Sequence, residues 1–423
     1  MPPKLLDDCF LHDKDRLRHD EALALLKGRI APLSATERVA LADAVGRVLA
    51  EEVRAPRPVP AFDNSAVDGY AFSHADYLAA KGRLKISGRV AAGHPGSGPI
   101  AEKTAARVFT GAVMPEGADT VAMQEDVTLE DAGGDELAVI PEGLKQGANR
   151  RKAGEDLAAG EVLIGPGRRL RPQDLAAIAS TGTAQIACHR RLRLAIVSTG
   201  DEIVRPGHTL AEGQVYDSNV YLLRALLETI GAEVNDLGVL TDRRDAVTAA
   251  LADAAGKHDA IVTSGGASRG EEDHVVKAVE AMGKLHMWQL AIKPGRPMGF
   301  GQIDECLFFA LPGNPVAVMV CFLLYVRPVL LRRSGADWPE PRRYLLPAAF
   351  SMKKKPDRRE FLRGMFVADA AGRQTIDKYP RDGSGLVSSL RAADGLIEIA
   401  EEVISVSPGD PVAFIPFDGF GGY

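Results

Sequence analysis

Ala260-Ile-Val-Thr-Ser-Gly-Gly-Ala-Ser-Arg-Gly270 decides the fold of this chain. Ile261, Val262 and Thr263 are β-branched and give a short buried strand, Ala260–Thr263. Gly265 and Gly266 turn the chain, and an apolar-periodic segment, Asp273–Met282, reads as a helix. A strand, a glycine turn and a helix together make the βα unit of a parallel sheet. The same reading extends outward in both directions. Leu192–Val197 is a strand and Asn219–Ile230 a helix, then Glu233–Leu240 a strand and Arg244–Ala255 a helix. His286–Ile292 and Cys306–Leu311 are further strands, and Val316–Leu331 closes as a helix. Residues 189–335 are thus expected to form a mostly parallel α/β sheet covered on both faces.

The flanks read differently. Residues 20–52 are helical in pattern, with apolar stripes over Ala22–Leu26 and Val39–Leu49, and Ser34-Ala-Thr-Glu37 has capping-box spacing. Residues 53–150 carry proline, glycine and short β-branched runs, with strands expected at Leu84–Val90, Ala106–Phe109, Thr120–Met123 and Glu136–Ile140. Residues 151–188 are mixed, with a helix over Pro172–Ser180. They are expected to pack with residues 1–52 as one discontinuous domain, the β domain 53–150 being inserted between them. Residues 336–423 return to short strands, read as a terminal β barrel or sandwich. A chain of 423 residues exceeds one hydrophobic core, in keeping with this multidomain α/β organisation.

A net charge of −6 argues against general affinity for nucleic acid or an anionic membrane. Any anion site must be a local concentration of cations. Cys9, Cys188, Cys306 and Cys321 show no CxxC or zinc spacing, so they read as reduced thiols in a cytoplasmic protein. The N-terminus has early acids and no apolar segment of signal-peptide type. The longest apolar run, Pro315–Val326, is too short for a bilayer and reads as a buried helix.

In an open parallel sheet, ligands bind beyond the carboxyl ends of the strands. Four segments are expected at that rim: Ser198–Glu202, Thr241-Asp242, Ser264–Gly270 and Pro312–Pro315. The Ser264–Gly270 loop can turn backbone N–H groups toward an anion, with Ser268 and Arg269 as added donors. Lys293 and Arg296 flank Pro294-Gly295, which holds two cations on a short turn suited to a phosphate or oxyanion. Asp201, Glu202, Asp242 and Asp273 could hold Mg²⁺ bridging phosphates, or act as general bases. In the β domain, Asp68-Gly69 is also a strong hairpin signal.

Eight segments stand in a telling order: Asp63-Asn-Ser-Ala-Val-Asp-Gly-Tyr-Ala71, Phe109-Thr-Gly-Ala112, Arg150-Arg-Lys-Ala-Gly-Glu-Asp156, Ser198-Thr-Gly-Asp-Glu202, Tyr216-Asp-Ser-Asn219, Ser264-Gly-Gly-Ala-Ser268, Lys293-Pro-Gly-Arg-Pro297 and Leu311-Pro-Gly-Asn-Pro315. Together they resemble the MoeA family, which includes the E domain of gephyrin. The resemblance implies a molybdopterin molybdenumtransferase. Such an enzyme converts adenylylated molybdopterin and molybdate to molybdenum cofactor and AMP with Mg²⁺. It also implies an elongated four-domain homodimer with a MogA-like central α/β domain and a C-terminal β barrel, and transient contact with a molybdopterin adenylyltransferase. Carried over by position, the catalytic residues would be Asp68, Glu202, Asp242 and Asp273, the last three also holding the metal. Substrate would be bound by Thr110, Arg151, Asp156, Ser268, Arg269, Lys293 and Arg296, with Arg363 in Glu360-Phe-Leu-Arg-Gly364 and Ser384 in Asp382-Gly-Ser-Gly385.

Two departures from the family pattern bear on charge. Gln289 stands where many relatives carry lysine, and Arg269 stands where a small apolar residue is common, so Arg269 is expected to restore the missing cation. Two other readings compete. An adenylyltransferase fold would resemble residues 190–335 alone, and Asp63–Tyr70 with the 336–423 domain argues against it. A non-catalytic gephyrin-like scaffold would tolerate loss of the acids, yet Asp68, Asp156, Glu202, Asp242 and Asp273 are all present.

Overall fold

The computed structural model describes residues 16–33, 35–96, 98–240, 243–265 and 274–420. The chain forms two compact units, one of Met1–Ala50, Pro166–Arg171 and Ala187–Tyr423, the other of Glu51–Gly165 and Pro172–Ile186.

The first unit is built on a six-stranded sheet in the order Glu233–Leu240, Arg193–Thr199, Ala260–Ser264, Cys306–Leu311, Pro297–Ile303, Lys284–Gln289. The first four strands are parallel and the last two antiparallel. Side chains alternate across the sheet as the pleat requires. Leu194, Ile196, Val262 and Phe309 face one core with the helices Asn219–Thr229 and Pro315–Cys321. Ala195, Val197, Ile261 and Phe308 face the other, under Arg244–Ala255 and His274–Met282. Burial on both faces explains why these strands read as unbroken apolar runs.

One expectation needs correction, and one strand escapes the sequence reading. Residues 35–52 are not helical: Thr36–Ala40 is a strand, Leu41–Asp43 a single 3₁₀ turn, and Val48 and Leu49 bridge to Arg169 and Cys188. The apolar spacing fits a helix, but backbone pairing with distant segments overrides that weak local preference. Residues 297–303, for which the sequence offers no element, also form a strand. Its glycines hide it from propensity and yet make it possible. A Cβ on Gly301 would lie 2.5 Å from the Lys284 carbonyl oxygen, and one on Gly299 would lie 2.8 Å from the Ala310 Cβ.

The helix Pro315–Arg333 is the one helix among the described residues long and apolar enough to cross a membrane, and 83 % of its apolar window is buried inside the protein. It is the core helix of the sheet. A π-helical turn over Phe322–Val326 precedes Pro328, at the point where proline withholds a helical N–H.

The C-terminal strands Arg359–Ala368, Gly395–Ile399, Pro411–Pro416 and Tyr344–Pro347 pair in that order, with Gln374–Lys378 on the other side of Arg359–Ala368. A bridge between Ala348 and Ile376 brings the two edges together. The helix His19–Arg29 docks on this sheet through ions. Arg359 donates to Asp20 at 2.8 Å, to Glu398 at 2.9 Å and to Glu401 at 2.9 Å. His19 beside them is fully buried against the Tyr325 hydroxyl at 2.7 Å, and burial lowers its pKa to about 3. Arg359→Ala should cost about 2–3 kcal/mol in urea unfolding, because Glu398 and Glu401 would keep their burial and lose a cation.

The second unit carries a six-stranded sheet in the order Thr120–Met123, Gly69–Phe72, Thr104–Val108, Arg83–Val90, Glu136–Val139, Thr128–Asp131. Tyr70, Phe72 and Leu84 fill one face, and Ala71, Val90 and Val108 the other. The four strands expected here all form, and Pro172–Ser180 is a helix as read.

Candidate active site

The four parallel strands of the central sheet end at one rim, and register places the start of the antiparallel Pro297–Ile303 strand there too, because Gly299 faces Ala310. The Lys293–Pro297 turn therefore meets the end of the Cys306–Leu311 strand. The same turn also reaches the C-terminal sheet, for Ile292 and Lys293 pair in parallel with Arg359 and Glu360. One short segment thus joins two sheets, and a cavity of about 520 Å³ opens between them. Its lining includes Lys293, Gly295, Arg296, Asn314, Arg363 and Ser384. Four of the substrate-binding residues expected from the sequence, separated by up to 91 positions (384 − 293), share this space.

Gly295 makes the turn possible. Its φ is +99°, and a Cβ there would lie 2.5 Å from the buried Cys321 Sγ. Cys321 itself is inert, since burial pushes its thiol up to about 12. Glu360, enclosed at 2 % exposure, lies 3.7 Å from the Lys293 ammonium and 2.6 Å from the Arg358 guanidinium. It fixes the base of the Lys293 turn. No role for Glu360 is visible in the sequence; the only signal is an acid opening a run of five consecutively buried strand residues, Glu360–Gly364.

Arg363 is the central cation. It is 6 % exposed. Its Nε donates to the Ser389 hydroxyl at 3.1 Å, and Nη2 donates to the carbonyls of Arg381 at 3.0 Å and Gly383 at 3.3 Å. Every one of these partners is neutral. Burial lowers its pKa, with the nearby Asp382 and Tyr379 charges opposing. A guanidinium held rigidly in a cavity wall, without an ion pair among the described residues and with Nη1 uncommitted, is a prepared anion site. Ser384 is tied in by its carbonyl, which accepts from the Val316 N–H at 3.0 Å.

Glu202 lies on the same rim but does not line this cavity. Its exposed carboxylate folds over Gly200, where a Cβ would meet Oε2 at 2.6 Å. Asp242, Ser268, Arg269 and Asp273 lie outside the described residues. Gln289 sits opposite Pro297, where the antiparallel strands leave the rim.

In the second unit, Asp68 and Thr110 are brought into contact. Asp68 Oδ1 accepts from the Thr110 backbone N–H at 2.7 Å and from its hydroxyl at 2.8 Å. These two bonds, the backbone one first, hold the Asp68 carboxyl below its ordinary pKa, so it is ionised at neutral pH with Oδ2 left open. Arg151 pairs in the backbone with Asn64, next to the Arg150–Ser65 pair. Asp63 accepts from Arg150 Nε at 2.8 Å and from the Ala153 N–H at 2.8 Å, which anchors the turn leading to Asp156. Asp156 is exposed, and its N–H donates to the Val59 carbonyl at 3.0 Å.

Comparison with known proteins gives matches over most of the chain. Residues 17–182 match the MoeA N-terminal region (domain I and II), 195–332 match the "Probable molybdopterin binding domain", and 346–417 match the MoeA C-terminal region (domain IV). A molybdopterin molybdenumtransferase from Haemophilus influenzae is 36 % identical, the alignment covering 94 % of this chain and 98 % of that protein. Molybdopterin molybdenumtransferase 2 of Mycobacterium tuberculosis is 32 % identical over 92 % of this chain and 96 % of its own. Two crystal structures of the molybdopterin biosynthesis MoeA protein from Pyrococcus horikoshii superpose with TM-scores of 0.77 and 0.80, at 32 % and 28 % identity. They cover 97 % and 95 % of this chain and all of theirs. The chain belongs to the MoeA family of molybdopterin molybdenumtransferases.

Proposed function

We propose that this transferase of molybdenum cofactor biosynthesis takes molybdenum from molybdate into adenylylated molybdopterin, with release of AMP. The cavity around Arg363 carries the reading. Molybdate is a compact dianion, and Arg363, Lys293 and Arg296 supply three cations around about 520 Å³, with the Ser384 hydroxyl as a further donor. Lys293 is ion-paired with Glu360, whereas the hydrogen bonds of Arg363 run only to neutral groups with the Asp382 charge merely nearby, so Arg363 is assigned the principal contact.

Adenylylated molybdopterin is assigned to the rim, with Ser268 and Arg269 on its diphosphate and Arg269 standing in for the lysine absent at Gln289. Glu202, Asp242 and Asp273 are assigned the metal. Glu202 fits this role as an exposed hard oxygen donor at the rim, and Mg²⁺ needs only one or two protein carboxylates beside phosphate oxygens. When bound, Mg²⁺ would neutralise charge at the phosphoanhydride. Asp68, ionised and oriented by Thr110, is assigned to water or a second contact with substrate, with Arg151 and Asp156 alongside. The resemblance further implies a cytoplasmic homodimer, in which these four residues of one protomer serve the cavity of its partner, and a transient contact with the adenylyltransferase that supplies substrate. The division into 1–52 with 151–188, 53–150, 189–335 and 336–423 belongs to the same proposal.

The test is product analysis. Purified protein given adenylylated molybdopterin, Mg²⁺ and molybdate should release AMP in a molybdate-dependent manner. ATP consumption with free molybdopterin would identify an adenylyltransferase instead, and turnover of neither would favour a scaffold.

A further inference from the structure

The segment Tyr216-Asp-Ser-Asn219 leads into the helix Asn219–Thr229, and nothing above gives it a task. Asn219 opens that helix and is 8 % exposed. Its Nδ2 donates to the Ser264 hydroxyl at 2.7 Å and to the Gly313 carbonyl at 2.7 Å. Both hydrogens of one amide are used, one on each of two loops. Ser264 ends the central Ala260–Ser264 strand, two positions before the segment 266–273 that contains Ser268, Arg269 and Asp273. Gly313 precedes Asn314, which lines the oxyanion cavity and opens the core helix. The two strands are neighbours in parallel register, and the Gly265 N–H adds a bond to the Leu311 carbonyl at 3.1 Å.

The position of Asn219 is itself fixed. The Val220 N–H donates to Asp217 Oδ1 at 3.1 Å, and Arg205 lies 3.6 Å from Asp217 Oδ2. Among the described residues, Asn219 Oδ1 is buried without a hydrogen-bond partner, as is the Ser198 hydroxyl, whose residue is the register partner of Ser264. An amide that leaves its own acceptor unsatisfied while spending both hydrogens on two loop ends is costly to bury and rigidly oriented.

We propose that Asn219 is a positioning residue: its side-chain amide clamps the strand end at Ser264 to the loop end at Gly313, so that the rim and the oxyanion cavity beside it are held in register for the transfer. This rests on the function proposed above. Asn219 touches neither ligand in this assignment, so its loss should act on both sites at once. The substitution Asn219→Asp would set a carboxylate oxygen against the Gly313 carbonyl, and an ionised carboxylate has no hydrogen to donate, so it cannot reproduce the clamp.

The experiment compares wild type, Asn219→Ala, Asn219→Asp, Ser264→Ala and the double variant Asn219→Ala/Ser264→Ala. Molybdate binding and AMP binding are each measured by titration calorimetry, turnover gives KM and kcat, and thermal melting monitors the fold. Asn219→Ala should weaken both ligands about tenfold, roughly 1.4 kcal/mol, and raise both KM values in a protein that still melts cooperatively. Ser264→Ala should give a smaller loss, and the double variant should be no worse than Asn219→Ala, since both act through one bond. Unchanged ligand affinities and KM values in Asn219→Ala, or a lowered melting temperature as the sole change, would overturn the clamp. Additive losses in the double variant would overturn it as well. If Asn219→Ala does not fold, Ser264→Ala and Asn219→Asp carry the same readouts. Failure of wild type to bind molybdate at all would instead overturn the assigned function, which keeps the two outcomes apart.

Discussion

Arg363→Met should reduce molybdate affinity by about 100-fold while leaving the protein folded. The expected loss corresponds to about 2.7 kcal/mol, within the range for removing one member of a buried, hydrogen-bonded charge pair. The reason lies in what surrounds the guanidinium. Arg363 stands on a strand enclosed from Phe361 to Gly364, and its three bonds run to a hydroxyl and two carbonyls. Those bonds orient the group without neutralising it. Before an anion binds, the site therefore keeps a desolvated positive charge offset only by the nearby Asp382, and a bound oxyanion recovers part of that cost. Methionine retains most of the packing volume and removes the charge and the fork. The carbonyls of Arg381 and Gly383 would lose their donor, so a modest loss of stability, about 1–2 kcal/mol, should accompany the binding defect. Arg363→Lys restores the charge but cannot reach Ser389 and both carbonyls together, so it should recover only part of the affinity. Titration calorimetry with molybdate, alongside thermal melting, separates these effects. Binding by Arg363→Met within threefold of wild type would remove Arg363 from the site.

Much of the scaffold is legible in the chain, and the reason is local. Parallel strands buried on both faces must be apolar at every position, so Leu194–Val197 and Ile261–Thr263 stand out without any partner in view. Helices such as Arg244–Ala255 carry their own periodicity. The failures share a cause as well. Gly299 and Gly301 weaken a strand in isolation, yet they allow the hairpin to approach its neighbours, and only the neighbours reveal this. Val48 and Leu49 have helical spacing but pair with Arg169 and Cys188, more than a hundred positions away. The site shows the same division. Lys293 and Arg296 are visible because they flank Pro294-Gly295, a turn that holds two cations close together, whereas Arg363 lies within a strand and stands out only through the resemblance to the MoeA family. Their meeting is not visible, because it depends on the parallel pairing of Lys293 with Glu360 between two sheets. Glu360 and Asn219 are silent for a related reason: each acts by holding backbone or a neighbouring side chain, and no spacing in the sequence marks that work.

Gly69→Ala should be the most damaging single methyl in the second unit, with a loss of about 4 kcal/mol or more in stability. Gly69 begins a strand that is flanked on both sides, pairing with Met123 in one neighbour and Val108 in the other. A Cβ built there would lie 1.9 Å from the Ala122 carbonyl oxygen and 3.0 Å from its carbon. Those are backbone atoms of a hydrogen-bonded strand, so no rotamer change can relieve the contact. One strand must move by about an ångström or more, and Ala71, Phe72, Val108 and Val121 must repack with it. The sequence alone offers Asp68-Gly69 as a hairpin turn, in which glycine would serve for a positive φ. The structure gives a different cause, since this glycine is needed for close approach within a sheet. The consequence reaches the site through one residue. Asp68 precedes Gly69 and is held by the Thr110 N–H and hydroxyl, while its own carbonyl accepts from the Gln124 N–H at 3.0 Å. Separating the strands at Gly69 should pull Asp68 from Thr110, so activity should fall further than the remaining folded fraction explains. Asp68→Asn provides the control: it should impair turnover with little change in unfolding free energy, because the carboxylate lies at the surface. Hydrogen exchange would resolve the two cases. In Gly69→Ala the amides of Gly69–Phe72 and Thr120–Met123 should lose protection, whereas in Asp68→Asn only the Thr110 amide should. Wild-type protection across both strands in Gly69→Ala would show that the sheet accommodates the methyl, and the close-approach account would be wrong.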